Sequence, residues 1–238
     1  MSVSATPTPE DGEEPEGRPL GRRAFLGLVA GGLSAIAWGG GALDLASQAT
    51  KVLPESLRAA IPFGQGWRIY AVNPPYPTFD RLRWRLRIEG LVERPVTLTY
   101  ADLLRLPQAR QRSDFHCVTG WSVDGVHWAG VRFRDLLAVA RPLPTARALS
   151  FVSMEDPYVD TLTLAQALQP DAMLAHSMDG KPLERKHGAP ARVVMPQMYG
   201  YKGVKWVQKV VVTDRVVDGY WEQRGYDRDA WVGGSNGR

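Results

Sequence analysis

From Leu82 to Ile88 the chain alternates strictly, with Leu82, Trp84, Leu86 and Ile88 apolar and Arg83, Arg85 and Arg87 charged. That period of two predicts a half-buried strand, and Glu89-Gly90 ends it. A second short strand or turn is expected over 96–100. Thr99 is placed to cap a helix over 101–106 that Pro107 stops. Residues 110–118 read as a strand, and 123–132 as a short aromatic stretch with Gly125 and Gly130 as turns. Helical spacing returns over 133–139, followed by a strand over 149–154 and an extended stretch over 158–164. A short helix over 164–168 ends at Pro170, and a strand over 173–177 runs into the hairpin-type turn Asp179-Gly180. Two β-prone runs, 192–196 and 206–213, complete the pattern. Short strands and short helices without regular βαβ alternation, and no internal repeat, predict one α+β domain of mixed sheets over 50–238.

The leading 49 residues do not fit that domain. Residues 1–20 are rich in Pro, Gly, Glu and Thr and too polar to pack, so they are expected to be disordered. Arg22-Arg23, then Ala24-Phe25-Leu26 and an uncharged, glycine-rich stretch through Leu43, give a positive segment before a weakly apolar one. This resembles a twin-arginine export signal, with Ser47-Gln48-Ala49 as a weak cleavage site; retention as a membrane anchor is the other reading. The export machinery is thus an expected partner, and the location is expected to be periplasmic or otherwise extracytoplasmic. Over 50–80, Pro54, Pro62, Pro74, Pro75 and Pro77 exclude a long regular element, and Asn73 to Thr78 should form a rigid extended arm.

The composition, 44% hydrophobic and 23% charged, is that of a globular chain. Net charge is +4, yet residues 1–49 hold three arginines against six acidic residues, so the remainder is more basic still. A basic body suits an anionic ligand or a negative membrane surface, or is simply a soluble surface. No nucleic-acid partner is expected.

Cys117 is the sole cysteine, so it forms no intrachain disulfide and is buried filler, a nucleophile or a metal ligand. Asp114-Phe115-His116 leads to it, and Thr119-Gly120 breaks the strand just after it, which presents a side chain at a strand end. A second region joins His187 and Arg192 to a glycine-punctuated loop bearing Lys202, Gly203 and Lys205. Glycines admit close backbone approach to an anion, and Arg and Lys neutralise it, a phosphate-holding design. Neither the P-loop spacing nor a dinucleotide fingerprint after a strand occurs.

Taken in order, Asn73-x-x-Tyr76, His116-Cys117-Val118-x-Gly120-Trp121-Ser122, Asp156-Pro157-Tyr158, His187-Gly188-Ala189-Pro190-x-Arg192 and Tyr199-Gly200-Tyr201-Lys202-Gly203-Val204-Lys205-Trp206 resemble the molybdopterin-binding domain of the sulfite oxidase family. The likeness runs from about Trp67 to Thr213 and is strongest to the small exported bacterial branch that includes a periplasmic methionine sulfoxide reductase catalytic subunit. The resemblance implies a Mo-molybdopterin cofactor with Cys117 as the thiolate ligand of the metal. It implies cofactor contacts from Asn73, Tyr76, Pro77 and Ser153, pterin and phosphate contacts from His187 and Arg192, and closure on the phosphate by Gly203, Val204 and Lys205. Tyr158 would run close to the metal and serve catalysis, or pack as an aromatic near a turn. His187 stands where the methionine sulfoxide reductase branch tends to have Asn, which leaves the substrate open.

Three functions follow as expectations. The first is an exported oxidoreductase that reduces S-oxides by oxygen-atom transfer. The second is a sulfite-oxidising dehydrogenase, which would want arginines around the metal; Arg83, Arg110, Arg112 and Arg132 could not be placed. The third is a non-catalytic basic domain on a membrane surface. With no Cys-x-x-Cys-His haem motif and no cysteines for an iron–sulfur cluster, electrons would come from a separate partner such as a membrane haem protein. The short stretch after Thr213 points to a monomer.

Overall fold

The computed structural model describes residues 64–234. The polar leading residues 1–20, the arginine pair, the apolar stretch after it with the expected cleavage site, and the first part of the proline-rich segment, with Pro54 and Pro62, lie outside the described residues. One sheet runs β3 (Val96–Thr99), β2 (Arg85–Gly90), β11 (Val207–Thr213), β6 (Ala148–Ser153), β7 (Val159–Thr163). Only the β2–β11 pair in it is parallel, with Arg87 opposite Lys209. The predicted alternation is realised from Trp84 onward, with Trp84, Leu86 and Ile88 buried and Arg85 and Arg87 facing water. The strand starts three residues later than expected, because 81–83 form a turn that leaves Leu82 exposed. Thr99 and Asp102 form a reciprocal capping box that starts α1 (Tyr100–Arg105), satisfying two N–H groups that the first turn leaves without helix partners. Helix α2 (Phe133–Ala140) buries Phe133, Leu136 and Leu137 against Leu149, Phe151 and Val210. Thr163 and Gln166 make the same kind of box at α3 (Leu164–Ala167).

The second sheet is built on β5 (Trp121–Arg132), which pairs with β1 (Gly64–Gln65), β4 (Ala109–His116) and β8 (Met173–Met178). Strand β8 continues to β9 (Lys181–Pro182) through Asp179-Gly180, both at positive φ as a type I′ hairpin requires, and to β10 (Arg192–Val194). Val131, Leu174 and Val193 join the same core as the first sheet.

Residues 123–132 correct the sequence reading, because β5 is one unbroken twelve-residue strand. Its two glycines are not turns. Gly125, at φ +65°, sits beside a register shift between β4 and β5 and donates its N–H to the Asp114 carboxylate at 2.7 Å. Gly130 allows backbone contact, since a Cβ there would lie 2.2 Å from the Leu174 carbonyl oxygen on β8. Gly130→Val is therefore expected to lower unfolding free energy by roughly 2–3 kcal/mol in urea titration; a loss below about 1 kcal/mol would mean that β5 and β8 separate freely.

Candidate functional site

Between β4 and β5 the chain turns in four residues, and Cys117 opens that turn. Its N–H donates to the Trp121 carbonyl at 2.8 Å, and the Gly120 N–H, with Gly120 at φ +89°, returns to the Cys117 carbonyl at 3.0 Å. This fixes the half-buried Sγ at the wall of a cavity of ≈ 860 Å³, mouth included. The Thr119 hydroxyl lies 3.2 Å from Sγ. Burial raises the thiol's pKa, and Thr119 and the Arg68 guanidinium partly offset it.

Three basic side chains, Arg192, His187 and Lys205, line the same cavity. Arg192 leaves β10 almost fully buried, its guanidinium 5.4 Å from the Phe115 ring centroid and 5.3 Å from that of Trp128. Its Nη1 donates to the His187 carbonyl at 3.2 Å, whereas Nε is buried without a partner. His187 ends a single 3-10 turn (Arg185–His187) and is also buried, and its Nδ1 likewise has no partner. Lys205 donates from Nζ to the Tyr70 carbonyl at 2.5 Å and lies 4.0 Å from the Trp206 ring centroid. Burial pushes Lys205 down to about 7, with Glu155 opposing and Arg192 adding to the fall. Burial and then Arg192 lower His187 to about 4, and burial lowers Arg192 to about 10. Basic groups crowded out of water and biased toward neutrality have the chemistry of a site for an anion.

Six of the sequence-derived residues line this one cavity: Cys117, Tyr158, His187, Arg192, Gly203 and Lys205. The others support it from behind. Ser153 Oγ donates to the Lys205 carbonyl at 2.8 Å and accepts from the Glu155 N–H at 2.9 Å. The proline-rich arm is pinned by Arg185, whose Nε donates to the carbonyls of Tyr76 at 3.0 Å and Pro77 at 3.3 Å, and by Tyr76 stacking on Trp206. Glu155 takes the N–H of Val72 at 2.6 Å and of Asn73 at 3.1 Å, and the Asn73 amide donates to the Asp156 carbonyl at 2.9 Å. The N–H groups of Gly203 and Val204 are engaged by the Gly200 and Lys202 carbonyls, so the polar groups turned on the cavity here are mainly side chains.

Two cavity residues were missed in the sequence. The Tyr158 hydroxyl donates to the Tyr201 carbonyl at 2.6 Å and is committed there. Tyr226 instead brings a buried hydroxyl without a partner, and its pKa is raised to about 12 by burial and by the charge of a Cys117 thiolate. Arg68, also buried, lines the cavity beside Cys117, 5.7 Å from the Trp121 ring centroid. Neither residue lies in a motif. Of the arginines weighed from sequence, Arg83, Arg110, Arg112 and Arg132 do not line the cavity.

Residues 73–221 match the family described as "Oxidoreductase molybdopterin binding domain". The chain belongs to that family. The molybdopterin-binding chain is 35% identical over 155 residues to the "Uncharacterized oxidoreductase YuiH" of Bacillus subtilis (strain 168), covering 64% of this chain and 77% of the relative. It is 32% identical over 160 residues to the "Protein-methionine-sulfoxide reductase catalytic subunit MsrP" of Campylobacter jejuni, covering 60% of this chain and 54% of that protein, about half its length. The sulfane dehydrogenase SoxCD from Paracoccus pantotrophus has a similar fold, with TM-score 0.55 and 27% identity over 60% of this chain and 41% of its own. This is a sulfite oxidase-type oxidoreductase domain of mixed sheets and short helices, which removes the reading as a non-catalytic surface module.

The residues present fit a molybdopterin. Soft thiolate sulfur suits molybdenum, and the orphaned His187 Nδ1 and Arg192 Nε await polar partners that a pterin phosphate supplies. Among the described residues no group of three or more His, Cys, Asp or Glu converges, so any metal beside Cys117 depends on ligands from the cofactor.

His187 gives a pH prediction for protein made without cofactor. Its folded pKa, about 4, lies below the unfolded value of about 6.5, so the unfolded chain binds the extra proton between those limits. The His187 contribution is complete above pH 6.5 and is lost as pH falls toward 4, on the order of 3 kcal/mol in full. Denaturant titrations across this range should show a shallower pH slope for His187→Gln; an unchanged slope would contradict the buried, neutral imidazole.

Proposed function

We propose that the chain is an exported molybdenum enzyme that reduces S-oxides, taking electrons from a separate partner, for which a membrane haem protein is the expected type. The observation that carries the substrate choice is the aromatic and aliphatic share of the cavity lining (Trp67, Tyr70, Val118, Trp121, Trp221, Tyr226). Of the basic residues that also line it, Lys186 pairs with Glu184 at 2.9 Å and His187, Arg192 and Lys205 are assigned in this reading to the cofactor, which leaves Arg68 for the substrate. Such a wall favours a neutral, polarised sulfur–oxygen bond over the doubly charged sulfite ion, which would need several cations. The relative named as a methionine sulfoxide reductase catalytic subunit supports the same direction.

In this reading Cys117 holds the molybdenum as thiolate. His187, Arg192 and Lys205 hold the pterin and its phosphate, with Gly203 giving room and Asn73, Tyr76, Pro77, Ser153 and Val204 fixing the loops around them. When bound, the cofactor would supply two-electron oxygen-atom transfer, the metal cycling between Mo(VI) and Mo(IV). The balance is one S-oxide, two electrons and two protons to one thioether and one water. In this reading the Tyr226 hydroxyl, buried without a partner in the cavity lining, would donate to the substrate oxygen, while Tyr158 shapes the wall through its bond to Tyr201.

Purified holoprotein should reduce methionine sulfoxide and simple dialkyl sulfoxides with a low-potential dye as donor, and should turn over sulfite poorly. Rapid sulfite oxidation without S-oxide reduction would replace this reading by the dehydrogenase one. Tyr226→Phe should lower kcat by about 10- to 100-fold while cofactor content stays constant. Tyr158→Phe acting more severely at equal cofactor content would return the catalytic role to Tyr158.

A further inference from the structure

Behind the cavity lies a buried ion cluster that the chemistry above does not use. Lys202 Nζ donates to Asp160 Oδ1 at 2.5 Å, to Glu222 Oε1 at 2.6 Å and to the Thr161 carbonyl at 3.0 Å, and all three charged side chains are almost wholly buried. Two carboxylates share one ammonium, and Asp160 Oδ2 and Glu222 Oε2 have no partner. Burying such an arrangement in place of apolar side chains gives little net stability, so its use is better sought in fixing one arrangement of the chain.

What it fixes is legible from its neighbours. Lys202 ends the 3-10 turn Gly200–Lys202 and immediately precedes Gly203 and the Lys205 loop of the anion site. Glu222 begins another such turn, Glu222–Arg224, in the C-terminal strap of residues 219–230. The strap rests on the same two places. The Tyr220 N–H donates to the Val159 carbonyl at 2.8 Å, the Tyr201 hydroxyl to the Asp227 carbonyl at 2.8 Å, and the Tyr199 N–H to the Ala230 carbonyl at 2.8 Å. Trp221 and Tyr226, carried by this strap, line the cavity together with the basic side chains.

We propose that Lys202 clasps the C-terminal strap to the anion loop, so that filling the anion site with molybdopterin fixes Trp221 and Tyr226 at the substrate end of the cavity. An anion held by Lys205 and Arg192 orders the loop, the loop ends in the Lys202 turn, and Lys202 holds Glu222. Lys202, Asp160 and Glu222 are thus positioning residues that touch neither cofactor nor substrate. The inference rests on the molybdopterin reading but not on the identity of the substrate.

The test is hydrogen exchange, read by mass spectrometry, on the full chain purified with cofactor and from a host unable to make the pterin. Strap amides over 219–230 should exchange about tenfold or more slowly in the loaded protein. Glu222→Ala, which leaves the Lys202–Asp160 pair intact, should erase most of that difference, raise KM and lower kcat, and keep wild-type pterin content. Glu222→Gln, which retains an acceptor for Lys202, should restore the protection. Equal strap exchange with and without cofactor would overturn the proposal. So would a Glu222→Ala protein that loses its pterin, since the cluster would then belong to the anion site itself. Failure of S-oxide turnover would leave the exchange result standing, so the two readings fail separately.

Discussion

Concentrated, desolvated positive charge is the constraint on which the rest of the structure turns. Arg192, His187 and Lys205 are held together out of water, and each is pushed toward its neutral form. No fold gathers such groups without cost, and here rigid elements hold them in place. Arg192 is on a strand between β8 and the 195–206 connection, flanked by Phe115 and Trp128. Lys205 is pinned through its carbonyl by Ser153 and through its ammonium by the Tyr70 carbonyl. An anionic ligand converts this burden into binding free energy, because it restores the charged forms that burial disfavours. These cations make part of an otherwise aromatic cavity suited to a polar, anionic group.

Cys117 and this charge line one cavity for a topological reason. The β4–β5 hairpin delivers Cys117 at a four-residue turn, while Arg192 comes from β10 itself and His187 and Lys205 from the connections on either side of it. Joining the two in one cavity needs the sheet of β5, β8 and β10 to keep its register, and the close contact of Gly130 with Leu174 is part of that register. Function therefore depends on ordinary sheet packing some distance from the chemistry.

Much of this was readable in the chain because local rules held. The alternation over 84–88, the Thr99 cap and the Asp179-Gly180 turn each state their structure in a few residues, whereas Leu82 fits the period but falls in the turn before the strand. Cys117 stood out as the sole cysteine before a strand break, and the basic loop by its glycines and cations. The strand β5 was misread because Gly125 and Gly130 punctuate it, and only the partners at Asp114 and Leu174 reveal a bulge and a close approach. Arg68 and Tyr226 could not be found from spacing, since they reach Cys117 from segments about 50 residues before it and more than 100 after it. Ser153 and Asn73 are near the site but act on backbone groups, a distinction that sequence does not carry.

The most direct measurement is the molybdenum and pterin content of protein purified from a host that makes the cofactor, compared across wild type, Cys117→Ser and Arg192→Met. The account predicts near-stoichiometric pterin and metal in wild type, pterin with an altered or lost metal centre in Cys117→Ser, and loss of both in Arg192→Met. Wild-type protein carrying neither metal nor pterin, or Arg192→Met retaining its full complement, would contradict it.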